Sequence, residues 1–239
     1  MHLQSICSIL LLILFAAGQL HAFEVVVPQS REFVEGNGNN AIPFSGISQR
    51  KYQQVYASSE FDGKTGYIDE IRFRVNAGHL AIPSGTELDI EIKLSHTTAI
   101  PSSISSTFAD NVGPDEVTVL DGVVMVSALA GAELTSTIPN PFEVVFDVAD
   151  TFKYNGSDNL LMEVRQYSSQ IFFSPFDAVG PGDPGHTLTD RVWSSDLDAT
   201  TGDTGGPFGL VTKFVLIPEP TTCTLALAAL CLVMGRRRG

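Results

Sequence analysis

A two-residue alternation of apolar and polar side chains restricts this fold more than any other feature of the chain. In "TELDIEIKLSH", Leu88, Ile90, Ile92 and Leu94 stand on one side, and Asp89, Glu91 and Lys93 on the other. "DEIRFRV" opposes Ile71, Phe73 and Val75 to Arg72 and Arg74. "PFEVVFDV" aligns Phe142, Val144, Phe146 and Val148, and "LLMEVRQY" aligns Leu160, Met162 and Val164. Successive side chains of a strand point to opposite faces, so each segment reads as a strand with one face buried and one wet. Antiparallel sheets have that character. No long stretch repeats apolar residues at helical spacing, and glycine and proline are frequent.

The breaks between these runs are turn chemistry. Asp121-Gly122, inside "VTVLDGVVMV", predicts a hairpin, and Asn155-Gly156 in "KYNGSDN" predicts a second turn. The segment "QRKYQQVYASSEF" (49–61) suits a helix or an edge strand; we read it as strand, with Val55 and Phe61 partly buried. One short helical turn fits "VSALAGAELTS" (126–136), and "TKFVLI" is the last strand. No internal repeat disturbs this reading, which disfavours a propeller or solenoid. The expectation is an all-β chain. Residues 23–216 form one antiparallel β-sandwich, jelly-roll-like, flanked by an N-terminal signal helix and a short C-terminal hydrophobic helix.

Both flanks carry export signals. Residues 1–22 hold the apolar run "ICSILLLILFAAG" and then "QLHA", which reads as a signal peptide cut after Ala22 or Gly18; a signal anchor that is never cut is the alternative. Residues 217–239 run from Pro218-Glu219-Pro220 through an apolar stretch to Arg236, Arg237 and Arg238. At ~1.5 Å per residue that stretch is short for the ~30 Å hydrocarbon core, and the arginines belong on its cytoplasmic side. All three cysteines, Cys7, Cys223 and Cys231, lie in these flanks. The body therefore holds together by packing, with no disulfide.

This three-part tail resembles the PEP-CTERM sorting signal of Gram-negative and related bacteria. The resemblance implies that Pro218, Glu219 and Pro220 are the recognition motif, and that Arg236, Arg237 and Arg238 hold the tail in place. It further implies a membrane protease-transpeptidase partner, an exosortase, which cuts near the Pro-Glu-Pro. The inner membrane would then hold the C-terminal helix only transiently. Carriers of such tails are exported to the cell surface or beyond it, and are commonly associated with exopolysaccharide and biofilm.

Charge narrows the partners of the body. The chain carries a net charge of −13, which repels nucleic acid and anionic membrane. Residues 174–209 form a long Gly- and Pro-rich stretch with Asp177, Asp183, Asp190, Asp196, Asp198 and Asp203, and Arg191 as its one basic side chain. Stretches of that length are functional or disordered when they are loops. Asp196, Asp198 and Asp203 offer hard oxygens at the short spacing Ca²⁺ uses, but without the glycine and glutamate of an EF-hand. A plain solvated loop is the alternative. Trp193, the only tryptophan, is a candidate to stack on a sugar ring, or else a core residue.

No catalytic motif is present. The chain has no G-x-S-x-G, no H-E-x-x-H and no P-loop, and His79, His96 and His186 lack metal-type spacing. Three functions remain in view: a non-catalytic surface or matrix protein, a Ca²⁺-dependent lectin-like module, and a glycan-cleaving enzyme using two carboxylates. The first is the expectation and the second its alternative.

Overall fold

The computed structural model describes residues 21–44, 49–79, 81–128, 139–167, 174–206 and 208–219. These contain twelve strands: β1 (Phe23–Val27), β2 (Gly38–Asn40), β3 (Arg50–Tyr56), β4 (Gly66–Phe73), β5 (Ile82–Thr97), β6 (Val117–Ala128), β7 (Val144–Tyr154), β8 (Asn159–Gln166), β9 (Phe176–Val179), β10 (Thr189–Ser194), β11 (Gly209–Leu210) and β12 (Thr212–Ile217). All pairings between them are antiparallel. Both expected flanking helices lie outside the described residues; among those described, no helix is long and apolar enough to cross a membrane.

Two large sheets face each other. One has the order β1-β12-β4-β7 and the other β10-β3-β8-β5-β6. The pairing is nested: β5 with β6, β4 with β7, β3 with β8, and β1 with β12. Rolling up a long hairpin in this way defines a jelly roll. β10 is an added strand beside β3. A small third sheet, β11-β9-β2, closes the end of the sandwich where Phe73 pairs with Thr212.

The alternation places the core between the large sheets. Leu88, Ile90, Ile92 and Leu94 of β5, Ile71 and Phe73 of β4, and Leu160, Met162 and Val164 of β8 are all fully buried. Tyr56 of β3 meets Phe214 of β12 edge-on across the sandwich, with ring centroids 4.9 Å apart. Burying each such side chain stabilises the fold by about 1.5–3 kcal/mol, and no disulfide is needed in a body that has no cysteine. The Asn155-Gly156 turn joins β7 to β8, with Gly156 at φ 77°.

Several expectations are corrected. Asp121-Gly122 is not a hairpin: β6 runs straight through it, and Gly122 pairs with Ile90 at φ 135°. Sixteen-residue β5 supplies partners along the whole run, so no turn is needed. Segment 49–61 is an interior strand rather than an edge, followed by a 3-10 turn at Ser58–Phe61. Val55 and Phe61 are wholly buried, not partly. Residues 126–128 of the expected helical turn end β6, and 129–138 lie outside the described residues. Phe142 leaves the core face and packs instead with Val26, Val179 and Val211.

β8 is buried on both faces. Residues 98–112 fold over the outside of its sheet, where Ile104 and Phe108 pack on Val55, Leu161 and Val192. Buried polar groups beneath this cover are satisfied. Gln53 Nε2 donates to Glu163 Oε2 at 2.7 Å, and Asn111 Nδ2 donates to Gln53 Oε1 at 3.0 Å.

Candidate functional site

Residues 174–209 are not one long loop. They hold β9, a 3-10 turn at Pro184–Thr187, β10 and β11, and their aspartates fall into two groups by environment. Asp177 and Asp183 are buried and bind the 28–40 segment to the body. Arg74, read from the sequence as wet, is almost wholly enclosed and pairs with Asp177 at 2.6 Å. Its remaining N–H groups donate to the carbonyl oxygens of Arg31, Glu32 and Val34. Asp177 also accepts the Gly36 amide at 2.8 Å. Asp183 takes Arg31 at 2.9 Å and the Gly185 amide at 2.8 Å. Burial pushes the Asp177 carboxyl up to about 7, against the pull of Arg74.

The second group surrounds β10. Its register with β3 sets Trp193 opposite Tyr52, Arg191 opposite Gln54 and Thr189 opposite Tyr56, so these side chains share the inner face. Gln54 is fully engaged there: its amide bonds the Leu210 backbone in both directions, at 2.9 Å each, and donates to Thr189 Oγ1 at 2.8 Å. On the other edge of β10 the chain returns as a bridge, Trp193 exchanging both backbone hydrogen bonds with Asp203. Residues 203–206 then run along the edge, and the Phe208 ring lies 6.0 Å from the Arg191 guanidinium. Arg50 lies over the Trp193 ring at 5.6 Å.

Arg191 is 7% exposed, and its Nε and Nη1 have no hydrogen-bond partner. Burial lowers its pKa. Its acidic neighbours are engaged with backbone: Asp203 Oδ1 accepts the Gly205 amide at 2.6 Å, and Asp190 Oδ1 accepts the amide of Arg191 itself at 2.7 Å. Burial pushes Asp190 up to about 6.

The expected calcium ligands are placed as follows. Asp196, Asp198 and Asp203 are all exposed. Asp196 Oδ1 accepts the Asp198 amide at 3.0 Å, closing its own turn. Among the described residues, no three His, Cys, Asp or Glu side chains come together as a metal site would require. Trp193 is half-buried against the core cluster, with Arg50 over its ring. His96 is the nearest thing to a catalytic imidazole, but both nitrogens are used: Nδ1 faces Asp115 Oδ2 at 2.6 Å, and Nε2 accepts the Asn155 amide at 3.0 Å. Of the sorting motif, Pro218 and Glu219 follow β12 directly, and Glu219 pairs with Lys153 at 2.9 Å on the surface. Pro220 and Arg236, Arg237 and Arg238 lie outside the described residues.

What sequence reasoning missed is the environment of Arg191. Its signal was a lone basic residue amid aspartates, two positions from the only tryptophan. No protein-family model matches the chain, and neither a curated protein nor a solved structure does.

Proposed function

We propose that this chain is an exported, non-catalytic component of the cell surface or extracellular matrix, sorted through Pro218, Glu219 and Pro220 and associated with exopolysaccharide. The observation that carries the reading is where the flanks meet the body. β1 begins at Phe23 and pairs with β12, Phe23 lying opposite Leu216. Leader and tail therefore join the jelly roll side by side, and the motif begins immediately after the last strand ends at Ile217. Glu219 stands on the surface there, about half exposed and paired with Lys153 in a surface ion pair, a contact worth little against a protease.

The test is expression of the full chain in a bacterial host with and without an exosortase, followed by mass spectrometry of the C-terminus. The reading expects truncation near Pro218-Glu219 only when the exosortase is present. Replacing Pro218, Glu219 and Pro220 together by alanine should leave the tail attached and the protein in the membrane fraction. An intact tail on the native sequence in an exosortase host, or a chain that stays in the cytoplasm, would sink the proposal.

A further inference from the structure

Among the described residues two arginines are buried, Arg74 and Arg191, and the fold treats them differently. Arg74 is satisfied by one carboxylate and three carbonyls. Arg191 is nearly as deeply buried, yet two of its nitrogens bond nothing. Two buried guanidinium nitrogens left without a hydrogen-bond partner are costly for a fold to hold, even with the Phe208 ring and the Asp203 carboxylate nearby. They persist where a function uses them, as strained and unsatisfied groups do at binding sites. A guanidinium presents a planar fork matched to the oxygens of a carboxylate or sulfate.

We infer that Arg191 is the base of a binding site for an oxyanion, a carboxylate or sulfate group, at the β10 edge. Arg50 and the half-buried rings of Trp193 and Phe208 border it, with the exposed Asp203 as its rim. The setting gives selectivity. A chain of net charge −13 repels anions generally, so an anion stays only where a desolvated cation meets it. Aromatic edges beside that cation suit an oxyanion carried on a sugar ring better than a free ion. The proposed function enters at one point alone: a matrix protein would meet this oxyanion on an acidic polysaccharide.

Trp193 makes the site self-reporting, because it is the only tryptophan and lies two residues from Arg191 on the same strand face. The experiment titrates the full-length protein with polygalacturonate, dextran sulfate, neutral dextran and sodium sulfate while following Trp193 fluorescence. We expect a saturable change with both acidic polymers and none with neutral dextran. Arg191→Met should weaken binding at least about tenfold, the loss of one charge-assisted contact, and Arg191→Gln should do likewise. Arg191→Met should also raise the Tm of the ligand-free protein, because it removes the two unsatisfied buried nitrogens. Asp203→Asn should tighten binding.

Saturation by sodium sulfate alone would keep the oxyanion site and assign it to a free anion. No saturable change with any anion, or a change that survives both Arg191 variants, would overturn the site. So would a lower ligand-free Tm in Arg191→Met together with unchanged binding, which would make Arg191 a structural residue. Correct sorting without anion binding would remove this site only, and anion binding by a chain that is never exported would remove the sorting reading only.

Discussion

At the scale of single residues, the buried Asp177 of β9 and the half-buried Asp190 of β10 govern how the protein responds to acid. Asp177 is held at about 7 and Asp190 at about 6, both above the ordinary 3.8, and burial is the leading cause for each. A raised carboxyl pKa means the folded chain binds protons that the unfolded chain has already lost. Stability therefore falls as pH rises through the window from about 4 to about 7. We expect Tm to drop between pH 5 and pH 8 in thermal scans, and Asp177→Asn and Asp190→Asn each to flatten part of that slope. The Arg74–Asp177 pair gives a second prediction. Arg74→Met alone should cost about 3–5 kcal/mol in urea denaturation, because it strips Asp177 and three backbone carbonyls of their donor; Arg74→Met with Asp177→Leu should recover much of that loss. None of this was legible beforehand. Arg74 sits at a wet position of the "DEIRFRV" pattern, and its partner lies 103 residues away.

At the scale of elements, the alternating strands were legible because one buried face leaves a period-two record. β4, β5 and β7 show it cleanly from Ile71 to Phe146. β8 misled, since Leu161 and Glu163 occupy its apparent wet face and are buried beneath residues 98–112. A segment covering a sheet from outside leaves no periodic mark on the strand it covers. Phe108 anchors that cover, taking Lys51 Nζ over its ring at 4.4 Å and accepting Gln53 Nε2 at its carbonyl. Phe108→Ala should destabilise by about 3–5 kcal/mol by calorimetry, and hydrogen exchange should show the amides of 98–112 losing protection first. The 28–40 segment has its own sensitive point at Gly36, where an added Cβ would fall 2.1 Å from the Ala178 carbonyl oxygen. Gly36→Ala should cost about 1–3 kcal/mol as overpacking, and proteolysis should then cut within 28–40. The candidate site was half legible: the stretch 174–209 and Trp193 stood out, but the sequence pointed to the aspartates rather than to the arginine among them.

At the scale of the whole molecule, the nested pairing orders the fold by distance along the chain. β5 and β6 are neighbours in sequence, whereas Phe23 must find Leu216 across nearly the whole domain. Loop-closure entropy makes such distant pairings late and slow. Pulse-labelled hydrogen exchange during refolding should protect β5 and β6 early, and β1 and β12 last. During synthesis from the N-terminus, the first strand made then waits longest for its mate. "VVV" of β1 has no partner strand until β12 emerges, with Pro218 and Glu219 directly behind it. Pairing of β1 with β12 and completion of the chain up to Glu219 thus become one event in time. A chain stalled short of β12 would leave both β1 and β4 without the strand that joins them.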